Sequence, residues 1–420
     1  MKKSLLFMAA LSVATFFASA QDALPEGEVY IRNVKTGFYL NNGYSWGTKA
    51  ILKPQARAFQ LVENSAGDGT VYLKNSMGVI ARDGATSGEL YCDKPESDLG
   101  QFYLEKQDNG YYTIDLSGWY LCAENPDQMM SYNPSTDSWE SYQNVPHYYD
   151  FYPLTGTDNY SADNMNIMWE ILTREQMHQS MAAATDANVL DATYLIKAHM
   201  IDVNDKDNET AWLVNGETNK LTFPAPGWGT GYEDSWIRKV VYAWYNLDDH
   251  SEAAPGEDII VRQEVADAPA GTYEIEYQVS NQSLTPMEIM FNTTAAEPVA
   301  GKGEDYWYGD AASDFNNYDN LKKAVFTVGD DGKLAITMTK HTSVDTQNRF
   351  AFKSFILKYH GTNSSLGGVE GIEADAFDAT APAEYYNLQG IRVAEPTTGL
   401  YIVRQGSKVS KQLIRNYSQK

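Results

Sequence analysis

The stretch Tyr273-Glu-Ile-Glu-Tyr-Gln-Val279 alternates apolar and polar side chains at period two, which is typical of a strand with one buried face. Two further alternating runs, residues 324–328 and 333–339, are separated by Gly329-Asp-Asp-Gly332. Because aspartate and glycine accept the backbone angles of a tight turn, these two runs predict a β-hairpin. Residues 212–360 as a whole have the pattern of one β-sandwich.

Three short segments of this region resemble the galactose-binding-like jelly rolls found as carbohydrate-binding modules. They are Ala211-Trp-Leu213, Ile260-Val-Arg-Gln-Glu264 followed by Ala268-Pro-Ala-Gly-Thr-Tyr273, and Phe355-Ile-Leu-Lys-Tyr359. The resemblance implies a jelly-roll domain over residues 189–361, made of two antiparallel sheets. Jelly rolls host many functions, so the fold alone does not make this domain a sugar binder.

Large aromatic side chains are concentrated in two glycine-rich segments of the predicted jelly roll, and an arginine precedes its last strand. These residues are Trp228, Tyr232, Trp236, Tyr306, Trp307, Tyr308 and Arg349. Glycine-rich segments make poor strands, so the rings are expected on loops, where they can stack on sugar rings. The pattern predicts a glycan-binding site. The alternative is that Trp228 and Trp307 close the open end of the sandwich as core residues.

The charge of the chain argues against nucleic acid as a partner. The 420 residues include 56 acidic and 32 basic ones, for a net charge of −24. Binding nucleic acid requires a basic surface that neutralises phosphates. The composition instead predicts a soluble, mutually repelling surface, and the length allows two or three domains.

Residues 1–20 have the pattern of an export signal. Lys2 and Lys3 precede the apolar run 5–17, and Ala18-Ser-Ala20 fits a signal peptidase site, so the mature protein is expected to begin at Gln21. The apolar run is too short to span a bilayer comfortably, and no later segment predicts a transmembrane segment. The sequence therefore predicts an extracellular or cell-surface protein, with the periplasm less favoured.

An internal repeat of about forty residues occupies residues 21–172. Its three units begin with Val29-Tyr-Ile-Arg-Asn33, Val71-Tyr-Leu-Lys-Asn75 and Tyr111-Tyr-Thr-Ile-Asp115, and later reach Pro54, Pro95 and Tyr132-Asn-Pro134. The first two units end at residues 59–63 and 102–106. The third ends either at residues 151–154 or, after an insertion, at residues 169–173. Three all-β units of this size fit a β-trefoil, in which Trp119 is expected to be a core residue.

The units resemble ricin-type lectin trefoils, although the Gln-any-Trp signature of that family is missing and Gln101-Phe-Tyr103 comes nearest to it. Such lectins hydrogen-bond sugar hydroxyls after the second strand of a unit. The polar residues in that neighbourhood are Asn41, Asn42, Asp83 and Glu124. The alternative is that they are loop residues favoured by turn geometry.

Two further features leave alternatives open. Cys92 and Cys122, the only cysteines, predict either a disulfide, which an exported protein can form, or two buried thiols. The segment 202–209 collects oxygen ligands of the kind that calcium prefers, at Asp202, Asn204, Asp205 and Asp207. The jelly-roll resemblance implies a structural calcium there, and the alternative is an acidic, solvated loop. No other cofactor is predicted.

The connecting and terminal segments complete the architecture. Thr173-Arg-Glu-Gln176 has the form of a capping box and predicts a helical connector over residues 173–188, packed between two domains. Residues 362–384 have the composition of a linker. Tyr386-Asn-Leu-Gln-Gly390 and Gly399-Leu-Tyr-Ile-Val403 resemble the C-terminal sorting domains of type IX-secreted proteins, which implies a sorting β tail over residues 385–420. The alternative is a small structural β appendage.

No catalytic motif stands out in the sequence. It contains no zinc-binding helix, nucleophile elbow or phosphate-binding loop, and its six histidines are scattered. The sequence therefore predicts a mainly β, secreted, non-catalytic protein that binds a glycan or glycoprotein. Two alternatives remain: an adhesion or protein-binding scaffold, and an unrecognised polysaccharide hydrolase, since a catalytic carboxylate pair cannot be chosen by sequence. The oligomeric state is not determined by the sequence.

Overall fold

The computed structural model shows a mainly β protein. It describes residues 24–43, 48–85, 88–123, 130–133, 138–141, 152–199, 205–219, 221, 241–243, 258–281, 285–301, 321–341, 350–366, 383–387, 392–394, 396, 399–405 and 408–414. The chain divides into two compact units, Met1–Asn363 and Ser364–Lys420. The expected export signal, residues 1–20, lies outside the described residues.

The first part of the larger unit is a twelve-stranded sheet with a separate two-stranded one. Its strands are β1 (Glu28–Asn33), β2 (Tyr39–Gly43), β3 (Lys49–Lys53), β4 (Phe59–Glu63), β5 (Val71–Lys74), β6 (Val79–Arg82), β7 (Leu90–Lys94), β8 (Tyr103–Lys106), β9 (Tyr112–Leu116), β10 (Trp119–Ala123), β11 (Met130–Asn133), β12 (Ser138–Ser141), β13 (Tyr152–Thr157) and β14 (Trp169–Thr173).

Strand pairing in this region closes on itself and forms a barrel. A seven-stranded ring runs β1–β2–β3–β13–β10–β9–β14 and returns to β1. A second closed path, β1–β4–β5–β8–β9–β14, is completed by the bridge between Val71 and Phe102. Apolar side chains from all three repeat units fill the interior, and Trp169 is fully buried there with its indole N–H donating to Leu121 O at 3.2 Å.

The third repeat unit differs from the expectation in one strand. β14 pairs with β1 and β9, so the unit ends at Trp169–Thr173, the second of the two predicted ends. The expected equivalence of Tyr132-Asn-Pro134 is wrong, because β10 pairs with β13. Tyr132 and Asn133 belong to β11, which pairs with β12 in a separate two-stranded sheet. An inserted hairpin therefore displaced the sequence alignment.

The second part of the larger unit contains two five-stranded sheets. Its strands are β15 (Leu190–Asp191), β16 (Leu213–Val214), β17 (Val241–Ala243), β18 (Ile259–Val265), β19 (Gly271–Asn281), β20 (Met287–Phe291), β21 (Thr294–Ala295), β22 (Lys322–Val328), β23 (Leu334–Lys340) and β24 (Phe350–Gly361). One sheet has the order β15–β24–β19–β22 with β17 on β24, and the other has the order β16–β18–β23–β20–β21. Because the two sheets share one apolar core, this part is called the sandwich.

The predicted hairpin at residues 324–339 is wrong, although both of its strands exist. β22 pairs with β19, whereas β23 pairs with β18 and β20, so the turn carries the chain from one sheet to the other. The turn itself is tight, with Gly332 N–H donating to Gly329 O at 3.0 Å. Alternation identifies strands with one buried face, but both strands face the same core from opposite sheets and so cannot pair.

A short helix, α1 (Arg174–Met181), joins barrel and sandwich, and a second, α2 (Asp207–Ala211), precedes β16. The capping box is confirmed: Gln176 N–H donates to Thr173 Oγ1 at 3.2 Å, and Thr173 N–H donates to Gln176 Oε1 at 2.8 Å. Met177 and Met181 are buried in the same apolar cluster as Tyr30 of the barrel and Trp212 of the sandwich. The connector is therefore a packed strut.

The smaller unit contains a four-stranded sheet of order β26–β25–β27–β28. Its strands are β25 (Ala383–Tyr386), β26 (Arg392–Val393), β27 (Gly399–Gln405) and β28 (Lys408–Ile414). Within the described part of the chain, neither helix is long and apolar enough to cross a bilayer.

Candidate functional site

The seven residues that the sequence predicts for ligand binding all lie outside the described residues. They are Trp228, Tyr232, Trp236, Tyr306, Trp307, Tyr308 and Arg349. The structure does describe the strands that flank their segments, and the ends of several of these strands lie together at one end of the sandwich.

The strand ends meet in one row. Ala243, the last residue of β17, pairs with Phe350, the first residue of β24, and Phe350 also pairs with Asn281, the last residue of β19. Residue 349 directly precedes this row. β22 is antiparallel to β19, so the chain also enters β22 from this side after residues 302–320. This loop-bearing end is therefore where the segment with Tyr306, Trp307 and Tyr308 and the residue before β24 join the sheet, whereas the segment with Trp228, Tyr232 and Trp236 enters β17 at Val241, two residues further from it.

A buried polar cluster, here the Asn281–Lys340 cluster, holds this end together. Asn281 Nδ2 donates to Thr285 O at 2.8 Å and to Val299 O at 2.9 Å. Lys340 Nζ donates to Thr285 O at 3.1 Å and to His341 O at 3.2 Å, and it also contacts Thr285 Oγ1. Both side chains are fully buried. Because a buried ammonium group is costly without hydrogen-bond acceptors, these contacts fix where the chain leaves the strands.

Three titratable side chains lie exposed beside this cluster. His341 Nδ1 is 2.8 Å from Asp258 Oδ2, and His341 Nε2 is 3.5 Å from Glu288 Oε2. The hydrogen bond to Asp258 raises the pKa of His341, and the Glu288 carboxylate adds to this effect. The group offers hydrogen-bonding partners for a polar ligand at the loop-bearing end. Sequence reasoning missed it because the three residues are distant in the chain and only the pairing of β18, β23 and β20 brings them together.

The face of the β19 sheet that points away from the core is also polar. Glu276 Oε1 lies 2.6 Å from Lys323 Nζ and 2.7 Å from Lys358 Nζ. Burial opposes the charge on Glu276, but the hydrogen bonds from both lysines outweigh it and lower the pKa of this carboxyl group. Nearby, Ser354 Oγ donates to Gln278 Oε1 at 3.0 Å. The ionic groups of this face are thus already matched within the sheet.

The segment predicted to bind calcium contacts the barrel. Asp202 and Asn204 lie outside the described residues, whereas Asp205 and Asp207 lie at the start of α2. Asp205 Oδ2 is 2.9 Å from Arg57 Nη2, and Ser76 Oγ donates to Asp205 Oδ1. Burial disfavours the charged carboxylate, but Arg57 outweighs it and lowers the pKa of Asp205.

Calcium binding remains a prediction. Among the described residues, no group of three or more histidine, cysteine, aspartate or glutamate side chains could hold a metal ion. Asp205, one of the two described candidate ligands, is instead paired with an arginine side chain from the barrel.

The lectin-like positions of the barrel differ from one another. Asn41 and Asn42 are buried; Asn41 Nδ2 donates to Gln55 O at 2.7 Å, and Arg57 Nη1 donates to Asn42 Oδ1 at 2.7 Å. Asp83 is exposed and lies 2.5 Å from Lys94 Nζ. Glu124 lies outside the described residues. The first-unit asparagines therefore have structural partners, and only Asp83 of the described three faces solvent.

Both cysteines are buried, and the structure contains them as thiols without a disulfide. Cys92 Sγ lies 3.9 Å from Asn41 O, and Cys122 Sγ lies 3.5 Å from Ala123 O. Of the two interpretations left open by the sequence, the structure contains the buried thiols.

A cavity of about 460 Å³ lies between barrel and sandwich. Four of its charged lining residues are paired with one another: Arg174 Nε and Nη2 donate to the two carboxylate oxygens of Asp267 at 2.6 and 2.7 Å, and Lys197 Nζ donates to Glu28 Oε1 at 2.8 Å. These pairs join the two halves across the cavity, which fits a structural junction.

No protein-family model and no curated protein matches the chain. Among solved structures, a designed 3-fold symmetric protein, ThreeFoil, is 18% identical, with a TM-score of 0.25, and the match covers 35% of this chain and 99% of that one. A salivary protein from Culex quiquefasciatus that belongs to the Cysteine and Tryptophan-Rich (CWRC) family is 15% identical, with a TM-score of 0.24, covering 36% of this chain and 94% of that one. TM-scores this low carry no argument about function.

Proposed function

We propose that this chain is a secreted or cell-surface, non-catalytic carbohydrate-binding protein that binds glycans at the loop-bearing end of the sandwich. The finer architecture belongs to the same proposal: a β-trefoil-like domain over residues 21–172, a galactose-binding-like jelly roll over residues 189–361 and a sorting-like tail over residues 385–420. The ligand is contacted by the seven residues predicted from the sequence, Trp228, Tyr232, Trp236, Tyr306, Trp307, Tyr308 and Arg349.

The Asn281–Lys340 cluster is the observation that carries the proposal. It ties the end of β19, the residues before β20 and the end of β23 to one another through buried hydrogen bonds. A binding site on loops needs a rigid scaffold beneath it, since each group that must be ordered on binding lowers the affinity. The loop-bearing end has such a scaffold.

The exposed groups beside the cluster suit a sugar. Sugar rings present an apolar face that stacks on aromatic rings, and their hydroxyls require planar polar partners. Asp258 and Glu288 supply carboxylate acceptors, and His341 supplies ring nitrogens between them. These groups support a polar ligand next to the segment that carries Tyr306, Trp307 and Tyr308.

The test is retention of the protein on immobilised polysaccharides. Trp228→Ala and Trp307→Ala should each weaken retention at least tenfold, as loss of a central aromatic contact does. Each should change the free energy of unfolding by less than about 1 kcal/mol, as surface substitutions usually do. Val189→Ala, which removes an exposed side chain beside β15 at the opposite end of the sandwich, is the matched control.

Three results would contradict the proposal. A loss of several kcal/mol of stability with unchanged retention would assign the tryptophans to the core. Release of reducing sugar from the polysaccharide would indicate a hydrolase. Capture of a purified surface glycoprotein that survives removal of its glycans would indicate a protein-binding scaffold.

A further inference from the structure

Two tyrosines and an aspartate lie in one row across three neighbouring strands of the barrel. Tyr103 in β8 pairs with Asp115 in β9, and Asp115 pairs with Tyr120 in β10. Directly paired residues of antiparallel strands have side chains on the same face, so the three share the outer surface of the barrel. Since neighbouring strands are about 4.8 Å apart, the two tyrosines stand about 10 Å apart with the carboxylate between them.

A third tyrosine extends this surface. The ring centroid of Tyr160 is 5.4 Å from that of Tyr120, with the planes tilted by 42°. The Tyr160 hydroxyl donates to Gln107 Oε1 at 2.8 Å, and Gln107 Nε2 donates to Thr113 Oγ1 at 3.0 Å. Tyr103 and Tyr160 are nevertheless 42% and 46% exposed. These are large aromatic surfaces left in contact with solvent, and hydrogen bonds hold Tyr160 in place.

The carboxylate between the rings is held by the turn that joins β9 and β10. Gly118 N–H donates to Asp115 Oδ1 at 2.6 Å. Burial beside the rings raises the pKa of Asp115, and the nearby charge of Glu105 raises it further. Burial also raises the pKa of Tyr120, and the charges of Asp115 and Glu105 raise it further. The surface is therefore aromatic and acidic.

We propose that this tyrosine surface (Tyr103, Asp115, Tyr120 and Tyr160) is a second glycan-binding site, which takes a linear, uncharged oligosaccharide. Each ring offers a flat apolar face to the C–H side of a pyranose, and the carboxylate accepts hydrogen bonds from hydroxyls. A ligand that contacts both Tyr103 and Tyr120 must be longer than one sugar. This site goes beyond the one proposed on the sandwich and shares with it only the class of ligand.

Charge decides which kind of glycan fits. The carboxylates of Asp115 and the nearby Glu105 repel acidic sugars, and they accept hydrogen bonds from uncharged hydroxyl groups. A site for a cationic group would be a cage, with ring faces converging within about 6 Å of one point. Tyr103 and Tyr120 instead stand side by side on separate strands, which is the arrangement of a platform.

The experiment is calorimetric titration of the full chain carrying Trp228→Ala and Trp307→Ala, so that binding at the barrel is measured alone. The probes are cellohexaose, xylohexaose and mannohexaose, with hexagalacturonate and hexalysine as charged comparisons. At least one neutral hexasaccharide should bind. Tyr103→Ala and Tyr120→Ala should each lower its affinity at least tenfold, and Tyr103→Phe and Tyr120→Phe should retain it because the ring is kept.

Two further variants sharpen the result. Asp115→Asn retains an acceptor for Gly118 N–H, so it should lower the affinity for the neutral sugar only a few-fold. Tyr91→Ala, in a half-buried tyrosine of β7 whose hydroxyl donates to Glu89, is the control and should leave the affinity unchanged.

The proposal is overturned if no neutral hexasaccharide binds in this background, or if the Tyr103 and Tyr120 alanine variants bind as the parent does. It is equally overturned if hexalysine alone binds and Asp115→Asn abolishes that binding, because the surface would then recognise cations. If the tryptophan variants lose retention on polysaccharide and no sugar binds at the barrel, the tyrosine surface is not a glycan site and the sandwich site stands. If a sugar binds at the barrel and the single tryptophan variants are retained as the parent is, the tyrosine surface stands and the sandwich site does not.

Discussion

The first and third units of the barrel share a strand order and differ in their surroundings. In the first unit, Asn41 and Asn42 are buried, and Arg57 reaches from the unit to Asp205 beside the sandwich. In the third unit, Tyr160 is nearly half exposed and pairs with Tyr120 at the surface. Related sequence units thus give the first unit a structural role and leave aromatic surface of the third exposed to solvent.

Arg57 makes the contacts that give the first unit its structural role. Its Nη1 donates to Asn42 Oδ1 at 2.7 Å, its Nη2 donates to Ser76 Oγ at 2.8 Å, and the same nitrogen lies 2.9 Å from Asp205 Oδ2. The guanidinium therefore joins the first unit, the second unit and the segment between β15 and β16. Both partners of the ion pair are well buried, with side chains 11% and 1% exposed.

The largest expected effect comes from breaking this pair. Arg57→Ala leaves the Asp205 carboxylate buried without its cation, which typically costs about 3–5 kcal/mol. Urea denaturation followed by tryptophan fluorescence measures the loss. Arg57→Met combined with Asp205→Leu should recover much of it, since an apolar pair of similar volume removes the uncompensated charge.

The control for this prediction is Arg262→Ala. Arg262 pairs with Glu264 on the exposed surface of the sandwich, where an ion pair contributes about 0–1 kcal/mol. Equal losses in Arg57→Ala and Arg262→Ala would mean that the junction does not hold the first unit in place.

A smaller effect is expected inside the third unit. Trp119 is only half-buried: Arg82 lies over its ring, with the guanidinium carbon 4.6 Å from the centroid. The expectation that Trp119 is a core residue is thus only partly met, since it packs at the edge of the barrel core. A Cβ added at Gly156 would lie 2.0 Å from the ring of Trp119.

Gly156→Ala should therefore destabilise by about 1–3 kcal/mol, the usual cost of overpacking. Thermal unfolding measures it, and Trp119→Leu in the same protein should relieve the clash. Gly329→Ala is the control, because the added Cβ would make an ordinary van der Waals contact, 3.5 Å from Asp331 Oδ1. No change on Gly156→Ala would mean that the Trp119 ring does not lie against β13.

The last predicted effect is a pH dependence where the first unit contacts β15. Asp191 accepts hydrogen bonds from Thr193 N–H at 3.0 Å and Gln55 Nε2 at 3.4 Å, and burial raises its pKa from 3.8 to about 7. The folded state thus holds a proton that the unfolded state has released between these two values. Stability contributed by this group therefore falls as the pH rises from about 4 to about 7 and is constant above that.

Asp191→Asn should remove this fall. The measurement is the free energy of unfolding of both proteins at several pH values across the window. A variant that retains the wild-type slope would assign the pH dependence to another group and leave the first unit without a titrating contact at the junction.

The sequence predicted strands better than it predicted their partners. Alternation located β19, β22 and β23, and the repeat located the strands that close each barrel unit. It failed at the Gly329–Gly332 turn, because alternation gives the buried face of a strand and not the sheet to which the strand belongs. It also failed at Tyr132, because an inserted hairpin imitates the next strand of the repeat.

The candidate sites show the same limit. The acidic segment at Asp205 fits a calcium loop by composition, but the cation beside it is Arg57, which is distant in the chain. His341, Asp258 and Glu288 come together only through strand pairing. The row of Tyr103, Asp115 and Tyr120 depends on the register of three strands, which the sequence pattern does not fix.

The apolar cluster that contains Tyr30, Met177 and Trp212 also bears on the two glycan sites proposed above. Because barrel, α1 and sandwich share that cluster, a cut between residues 188 and 189 would expose an aggregation-prone apolar face on each half. The two proposed sites are thus held at a fixed separation. On that proposal, avidity for a polysaccharide that reaches both is set by how well its repeat matches that distance, and not by the length of a flexible tether.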